Sequence, residues 1–228
     1  MYAAANGLLE SIRGLPFDSC NSRIFEETSK MTAAIVLAAG ASRRFEGQTP
    51  KLLAPFRGRP LAAWALDAVD DAGFDEVIVV LGGCDISPLL STEFSVENYN
   101  WESGIATSLA RGIAEAERRG HEVAVVGLAD QPFIPSSAWM AVAATKSPIA
   151  VATIDGHRTP PVRLERQVWP LLPTSGDIGA RTVMRAYPHL VTEVPCSGSA
   201  IDLDTQQDFE RWTLDDPLQA GSTLDESV

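Results

Sequence analysis

Small residues, cations and carboxylates stand at three places along the chain where they could handle an anionic ligand. The first is Leu37-Ala38-Ala39-Gly40-Ala41-Ser42-Arg43-Arg44, followed by Lys51. Small side chains and Gly40 let a backbone approach a ligand closely, and successive amides in such a turn bind anionic oxygens. Arg44 and Lys51 add charge able to neutralise a triphosphate. The same cluster also reads as an ordinary strand-to-turn segment with surface cations. It is neither a Walker loop, which needs GK[ST], nor a GxGxxG dinucleotide fingerprint. The second place is Asp130 and the third is Asp202 with Asp204. Magnesium is usually held by one or two carboxylates, with water and phosphate oxygens completing its shell. Acids distant in sequence that converge at one edge meet that need. Plainer readings stand beside it: Asp130 as a helix cap or turn residue before Pro132 and Ser136, and Asp202 and Asp204 as caps of a final helix. Which of Asp202 and Asp204 reaches a metal is left open.

The elements that must position these residues are legible as alternating patterns. Ala33–Ala38, Glu76–Leu81 and Val123–Leu128 are short, rich in β-branched residues and almost wholly apolar. Such runs are strands covered on both faces, the mark of a parallel sheet between helices. Leu61–Ala72 has helical composition, and Ile105, Leu109 and Ile113 form one stripe of a helix over Gly104–Arg119. Further helices are predicted at Ser136–Ala144, Arg166–Leu172, Gly179–Ala186 and Thr205–Trp212, the last opened by a Thr205/Asp208 capping box. Further strands are predicted at Ile149–Ile154, Val162–Leu164 and Val191–Val194. The alternation gives an α/β, three-layer, mostly parallel sandwich in one domain. Asp130, just beyond a buried strand, then falls at the carboxyl edge where ligands of open α/β sheets bind.

Composition sets the outer bounds. The 228 residues carry 18 Lys and Arg against 30 Asp and Glu, a formal net charge of −12. That disfavours non-specific nucleic-acid binding while allowing one anionic ligand in a locally basic pocket. Three separated cysteines suit a reducing compartment, with neither a disulfide framework nor a structural zinc. No run approaches the roughly 20 apolar residues of a membrane span, and no export signal is expected in the first 30 residues, which have neither a basic start nor an apolar run of signal-peptide length. The expected organisation begins with a disordered extension over 1–30, with Met31 as an alternative start of the chain. A catalytic domain over 31–213 and a disordered tail over 214–228 follow. The expected location is the cytoplasm, with no membrane and no nucleic-acid partner.

Taken in order, the motifs resemble those of the MobA-like nucleotidyltransferases. LAAGASRR followed by PKLL looks like that family's opening signature. Asn98-Tyr99-Asn100-Trp101 with Gly104 and Ser108-Leu109 is similar to its NPxWxxGxxxSL segment. Leu128-Ala129-Asp130-Gln131-Pro132 is similar to its DQP motif, Gly176–Arg181 to GDxGAR, and Asp202-Leu203-Asp204-Thr205 to its DIDTPED ending. Within the family, the AAG opening, the tryptophan segment and GDxGAR look more like the molybdenum cofactor cytidylyltransferases, the MocA-like group, than the guanylyltransferases.

The resemblance implies a Rossmann-like fold of the nucleotide-diphospho-sugar transferase (GT-A-like) kind. It implies transfer of a nucleoside monophosphate from an NTP, CTP favoured, to a phosphorylated acceptor, molybdopterin favoured, with pyrophosphate released. By this reading Leu37 to Ser42, Arg44 and Lys51 bind the nucleotide. Arg44, Lys51 and Asp130 are catalytic, and Asp130, Asp202 and Asp204 are candidate ligands of Mg2+. Trp101, Gly104, Ser108, Asp177 and Arg181 fall to the acceptor. Read alone, Trp101 is core or a stacking platform, and Asp177 is an acid at a helix start. The other tryptophans read as packing, and His121, His157 and His189 as surface residues. Departures fall at the lengthened stretch before Lys51 with Phe45-Glu46, at Tyr99 for proline, and at Thr159-Pro160-Pro161-Val162 where the family has GHPV. Other readings are GTP or a sugar-phosphate acceptor, a nucleotide-binding or chaperone-like module serving a molybdoenzyme, and an oxidoreductase of the same family.

Overall fold

The computed structural model describes residues 30–40, 45, 49–91 and 93–214. Ala41, Ser42 and Arg44 of the first motif lie outside the described residues, as do nearly all of the expected extension and tail.

The strands are β1 (Thr32–Leu37), β2 (Pro55–Phe56), β3 (Arg59–Pro60), β4 (Glu76–Leu81), β5 (Phe94–Glu97), β6 (Val123–Leu128), β7 (Ile149–Ile154), β8 (His157–Glu165) and β9 (Val191–Pro195). The helices are α1 (Leu61–Asp70), α2 (Ile105–Arg118), α3 (Ser136–Ala143), α4 (Arg181–Ala186) and α5 (Gln206–Leu214). Seven strands form one sheet in the order β5-β4-β1-β6-β8-β7-β9, and β2 and β3 form a separate ribbon. β8 runs antiparallel to β6 and β7, and the remaining pairs are parallel, so β8 alone is reversed.

Strand side chains alternate between faces, and each face has its own helices. Ala33 and Ile35 of β1 pack with Leu109, Ile113 and Ala116 of α2 and with Val183 and Met184 of α4. Ala34 and Val36 pack on the other side with Ala62, Leu66 and Val69 of α1 and with Trp139 and Val142 of α3. Full burial of each valine or isoleucine stabilises by about 1.5–3 kcal/mol, which is why these unbroken apolar runs occupy the sheet centre. A third cluster of Phe56, Leu61, Phe133, Leu203 and Phe209 joins the ribbon to α5 beyond the sheet edge.

Several expectations need correction. The strand expected at Val162–Leu164 extends back to His157, although Pro160 and Pro161 interrupt its pattern. Pairing shifts from Val151↔Val162 to Ala152↔Thr159, so an irregularity absorbs both prolines outside the ladder. The segment from Arg166 to Leu171 is a 3-10 helix rather than an α-helix, with Pro170 inside it unable to donate to a regular ladder. β5 and the ribbon are unpredicted, because Val96 is the one buried residue of its strand and the ribbon strands have two residues each. His121 is fully buried rather than at the surface, with Nε2 2.8 Å from Glu76 Oε2. His157 and His189 are exposed, and Trp139 and Trp169 are core residues.

Candidate active site

β1 and β6 are neighbours running in the same direction, so the loops leaving Leu37 and Leu128 emerge side by side at the carboxyl edge. Ladder bonds continue past both strands: the Ala38 amide donates to Val80 O at 2.9 Å and the Ala129 amide to Leu37 O at 3.1 Å. Ala38 and Ala39 are buried, while Gly40 is exposed and a Cβ there would meet no atom of the described residues within 4 Å. With no side chain of its own, Gly40 lets a ligand lie against backbone.

Lys51 opens a short 3-10 helix below this loop, and its side chain is only 4% exposed. Its ammonium donates to Asp130 Oδ2 and to Asp204 Oδ1, each at 2.8 Å. Burial alone would lower the Lys51 pKa, but the charge and hydrogen bonds of Asp130 and Asp204 outweigh it and hold it above the usual lysine range. The cation therefore stays charged and joins two acids distant in sequence.

Asp202 and Asp204 flank Leu203, which is completely buried among Phe133 and Phe209. With the side chain between them turned inward, both carboxylates reach the cleft, as residues two apart in extended chain do. They find different partners there. Asp202 Oδ1 accepts a hydrogen bond from Gln131 Nε2 at 2.9 Å. Desolvation pushes the Asp202 carboxyl up, the Gln131 bond opposes this, and the charges of Asp130 and Asp204 push the same way as desolvation. Three hard oxygen donors acting on one another suit a magnesium-like cation. Among the described residues, however, no three acidic, histidine or cysteine side chains are already grouped to hold one ion. Asp204 is fixed from behind by a reciprocal cap. Asp208 Oδ2 accepts from the Thr205 amide at 2.8 Å and the Asp204 amide at 3.1 Å, and the Asp208 amide donates to Thr205 Oγ1 at 3.2 Å.

Two adjoining cavities open at this edge. One, of about 520 Å³, is lined by Ala38 to Gly40, Lys51, Trp101, Asp130 and Asp204. The other, of about 590 Å³, has Gln131, Thr159, Arg181 and Asp202 in its wall. Leu37, Ile105, Leu128 and Asp177 border both. Of the residues expected at the acceptor, Arg181 is in the second cavity and Asp177 at the junction. Trp101, Gly104 and Ser108 instead line the first, beside Lys51.

The tryptophan segment is built around Asn98, whose buried amide donates to Thr107 Oγ1 at 2.9 Å and Ser108 Oγ at 3.0 Å. Ser108 is thus a buried anchor of α2 as well as a wall residue. Gly104 begins α2 with φ +103°, and a Cβ there would stand 2.4 Å from Gly176 O. The Ala106 amide donates to the same carbonyl at 3.0 Å, and the Gly176 amide to Ser103 O at 2.9 Å. This clasp sets Asp177 at the junction of the cavities. Gln131 is a site residue that the sequence does not single out although it lies within the DQP segment, because its partner Asp202 is 71 positions away.

The arrangement offers a backbone loop, a buried cation and carboxylates on one side, and a separate polar cavity on the other. That is the layout for bringing an anionic ligand and a second molecule together. Residues 34–191 match the MobA-like NTP transferase domain. The chain is 31% identical over 195 residues to nicotine blue oxidoreductase of Paenarthrobacter nicotinovorans, covering 78% of this chain and 94% of that protein. It is 29% identical over 192 residues to the purine catabolism protein PucB of Bacillus subtilis (strain 168), covering 77% and 93%. Among solved structures, Rv0371c of Mycobacterium tuberculosis H37Rv matches with TM-score 0.71 and 26% identity over 82% of this chain and 100% of that one. A complex of Rv0371c with manganese matches with TM-score 0.67 and 26% identity, over 82% and 99%.

Proposed function

The chain belongs to the MobA-like NTP transferase family, and from that premise we propose that it moves the nucleoside monophosphate of CTP onto the phosphate of molybdopterin, releasing pyrophosphate. Its fold is of the GT-A-like nucleotide-diphospho-sugar transferase kind, and it is a nucleotidyltransferase. The CTP and molybdopterin choice rests on the AAG opening and the GDxGAR segment, which look like the cytidylyltransferase branch. The observation that carries the reading is the Lys51 ammonium clasped by Asp130 and Asp204 beside the Ala38–Gly40 backbone.

In this reading the first cavity takes the nucleotide. Gly40 admits the phosphates against the backbone, Trp101 lies along the same wall, and Lys51 with Arg44 balances triphosphate charge. A phosphate oxygen of the acceptor attacks the α-phosphorus in line. The new P–O bond forms as the bond to the β-phosphate bridging oxygen breaks, and pyrophosphate leaves with that electron pair. The attacking phosphate is already ionised, so the protein supplies positioning and charge rather than a base. Asp130 with Asp204 or Asp202 would hold Mg2+, which when bound neutralises charge on the transferring phosphate. The manganese complex of Rv0371c supports a divalent ion.

The test is pyrophosphate release with magnesium, offering CTP, GTP, ATP and UTP against molybdopterin and a panel of sugar phosphates. Release with CTP and molybdopterin is expected, and Asp130→Ala should lose about 100-fold or more in kcat while staying folded. Full turnover in that variant would overturn the assignment, and release with another pair would move the substrates. The name of the Paenarthrobacter relative favours a second reading, an oxidoreductase. A flavin or nicotinamide absorbance band in the purified protein would support it.

A further inference from the structure

The three candidate metal carboxylates are not equivalent. Asp130 and Asp204 line the cavity that holds Lys51 and share its ammonium, whereas Asp202 lines the neighbouring one. Asp202 Oδ1 is held by Gln131 Nε2 at 2.9 Å, and among the described residues Oδ2 has no hydrogen-bond partner. Gln131 is 4% exposed, its Nε2 also lies 3.4 Å from Thr159 Oγ1, and its buried Oε1 has no hydrogen-bond partner among the described residues. Gln131 thus brings its one donor group to Asp202 and leaves acceptor oxygens over. A ligand group entering this corner meets the exposed Asp202 carboxylate and the buried Gln131 oxygen, and a buried acceptor left unpaired is costly. Around them the cavity has an apolar floor of Val126, Val151 and Met184, with the cations Arg158, Arg181 and Arg185 in its wall.

We propose that Asp202, positioned by Gln131, is a specificity residue for the acceptor rather than a metal ligand, and that it receives an N–H or O–H donor of the acceptor's non-phosphate body. The acceptor class is therefore an anionic molecule with an apolar, donor-edged body. This rests on the nucleotidyltransferase reading, with the nucleotide in the first cavity.

Asp202→Asn decides it. The amide keeps an oxygen for Gln131 but turns the free oxygen into an NH2 group, which would face the acceptor's own donor. Two readouts are needed. The first is Mn2+ binding in the presence of each of CTP, GTP, ATP and UTP, followed by electron paramagnetic resonance. Asp202→Asn should bind within about twofold of wild type, while Asp130→Asn and Asp204→Asn should each weaken binding by about tenfold or more. The second is steady-state pyrophosphate release with molybdopterin. KM for molybdopterin should rise by about tenfold or more in Asp202→Asn, with KM for the nucleotide and kcat within about twofold, as loss of uniform binding predicts. Gln131→Leu should shift the same KM, and a thermal melt matching wild type shows that it folds. Loss of Mn2+ binding in Asp202→Asn equal to that in Asp130→Asn overturns the inference, and so does an unchanged KM for molybdopterin. Wild type that binds no Mn2+ with any nucleotide instead overturns the nucleotidyltransferase reading beneath it.

Discussion

Gly104 holds the two cavities in register through its backbone, because its α-carbon stands against the Gly176 carbonyl at a φ that side chains resist. Gly104→Ala would force that contact apart and should cost about 1–3 kcal/mol, measured by urea denaturation. It should also raise the KM of both substrates, since Asp177 moves with Gly176. Legibility at this scale followed distance along the chain. Asp130 and Lys51 could be picked out because each sits in a motif with its own local chemistry. That Lys51 also holds Asp204, 153 positions away, could not be read, nor could the Gln131–Asp202 bond. His121 misled because Gly120 and Glu122 beside it are turn-like, while the partner that allows its burial, Glu76, lies on β4.

Elements were legible where burial on both faces wrote an unbroken apolar run, as in β1, β4 and β6, or where a cap had a fixed spacing. The Thr205/Asp208 box is such a spacing, and it does more than start α5, since Asp208 also receives the Asp204 amide. Asp208→Ala should therefore cost about 1 kcal/mol of stability and, unlike an ordinary cap loss, should lower kcat as well. Denaturation and pyrophosphate release on the same preparation would check both. What escaped were elements made by tertiary pairing: the exposed edge strand β5, and the first half of β8 hidden by two prolines. At the far end of α2, Glu115 takes hydrogen bonds from Arg118 and Arg119, and Arg119 reaches Glu76 at 3.2 Å. The Arg118 hydrogen bond, against the opposing cost of desolvation and with help from Arg119, holds the Glu115 carboxyl at about 2 instead of 4.5. A depressed carboxyl adds stability that is present above its unfolded pKa and fades as pH falls through the folded one. Thermal melts should show this loss as pH falls from 4.5 towards about 2, and Glu115→Gln should flatten that limb.

Across the whole molecule, the sheet and its four covering helices form one body, and no helix among the described residues is long and apolar enough to cross a membrane. The acids proposed to hold the metal are not all anchored in that body. Asp130 rides on β6, but Asp204 is held in place by Leu203 and Phe209, which belong to the aromatic cluster with Phe56 and Phe133. Arg57 donates to Trp212 O at 2.9 and 3.0 Å, and the Phe45 ring lies 4.8 Å from that of Phe209. This latch is small and peripheral, so it can open while the sheet stays folded, as sub-global openings do. Heating should then abolish turnover below the temperature at which the sheet melts by circular dichroism. Phe209→Ala should widen that gap, lowering the inactivation temperature more than the melt. A chain built this way has two thermal lifetimes, a shorter one as a catalyst and a longer one as a folded object, and its working range is set by the shorter.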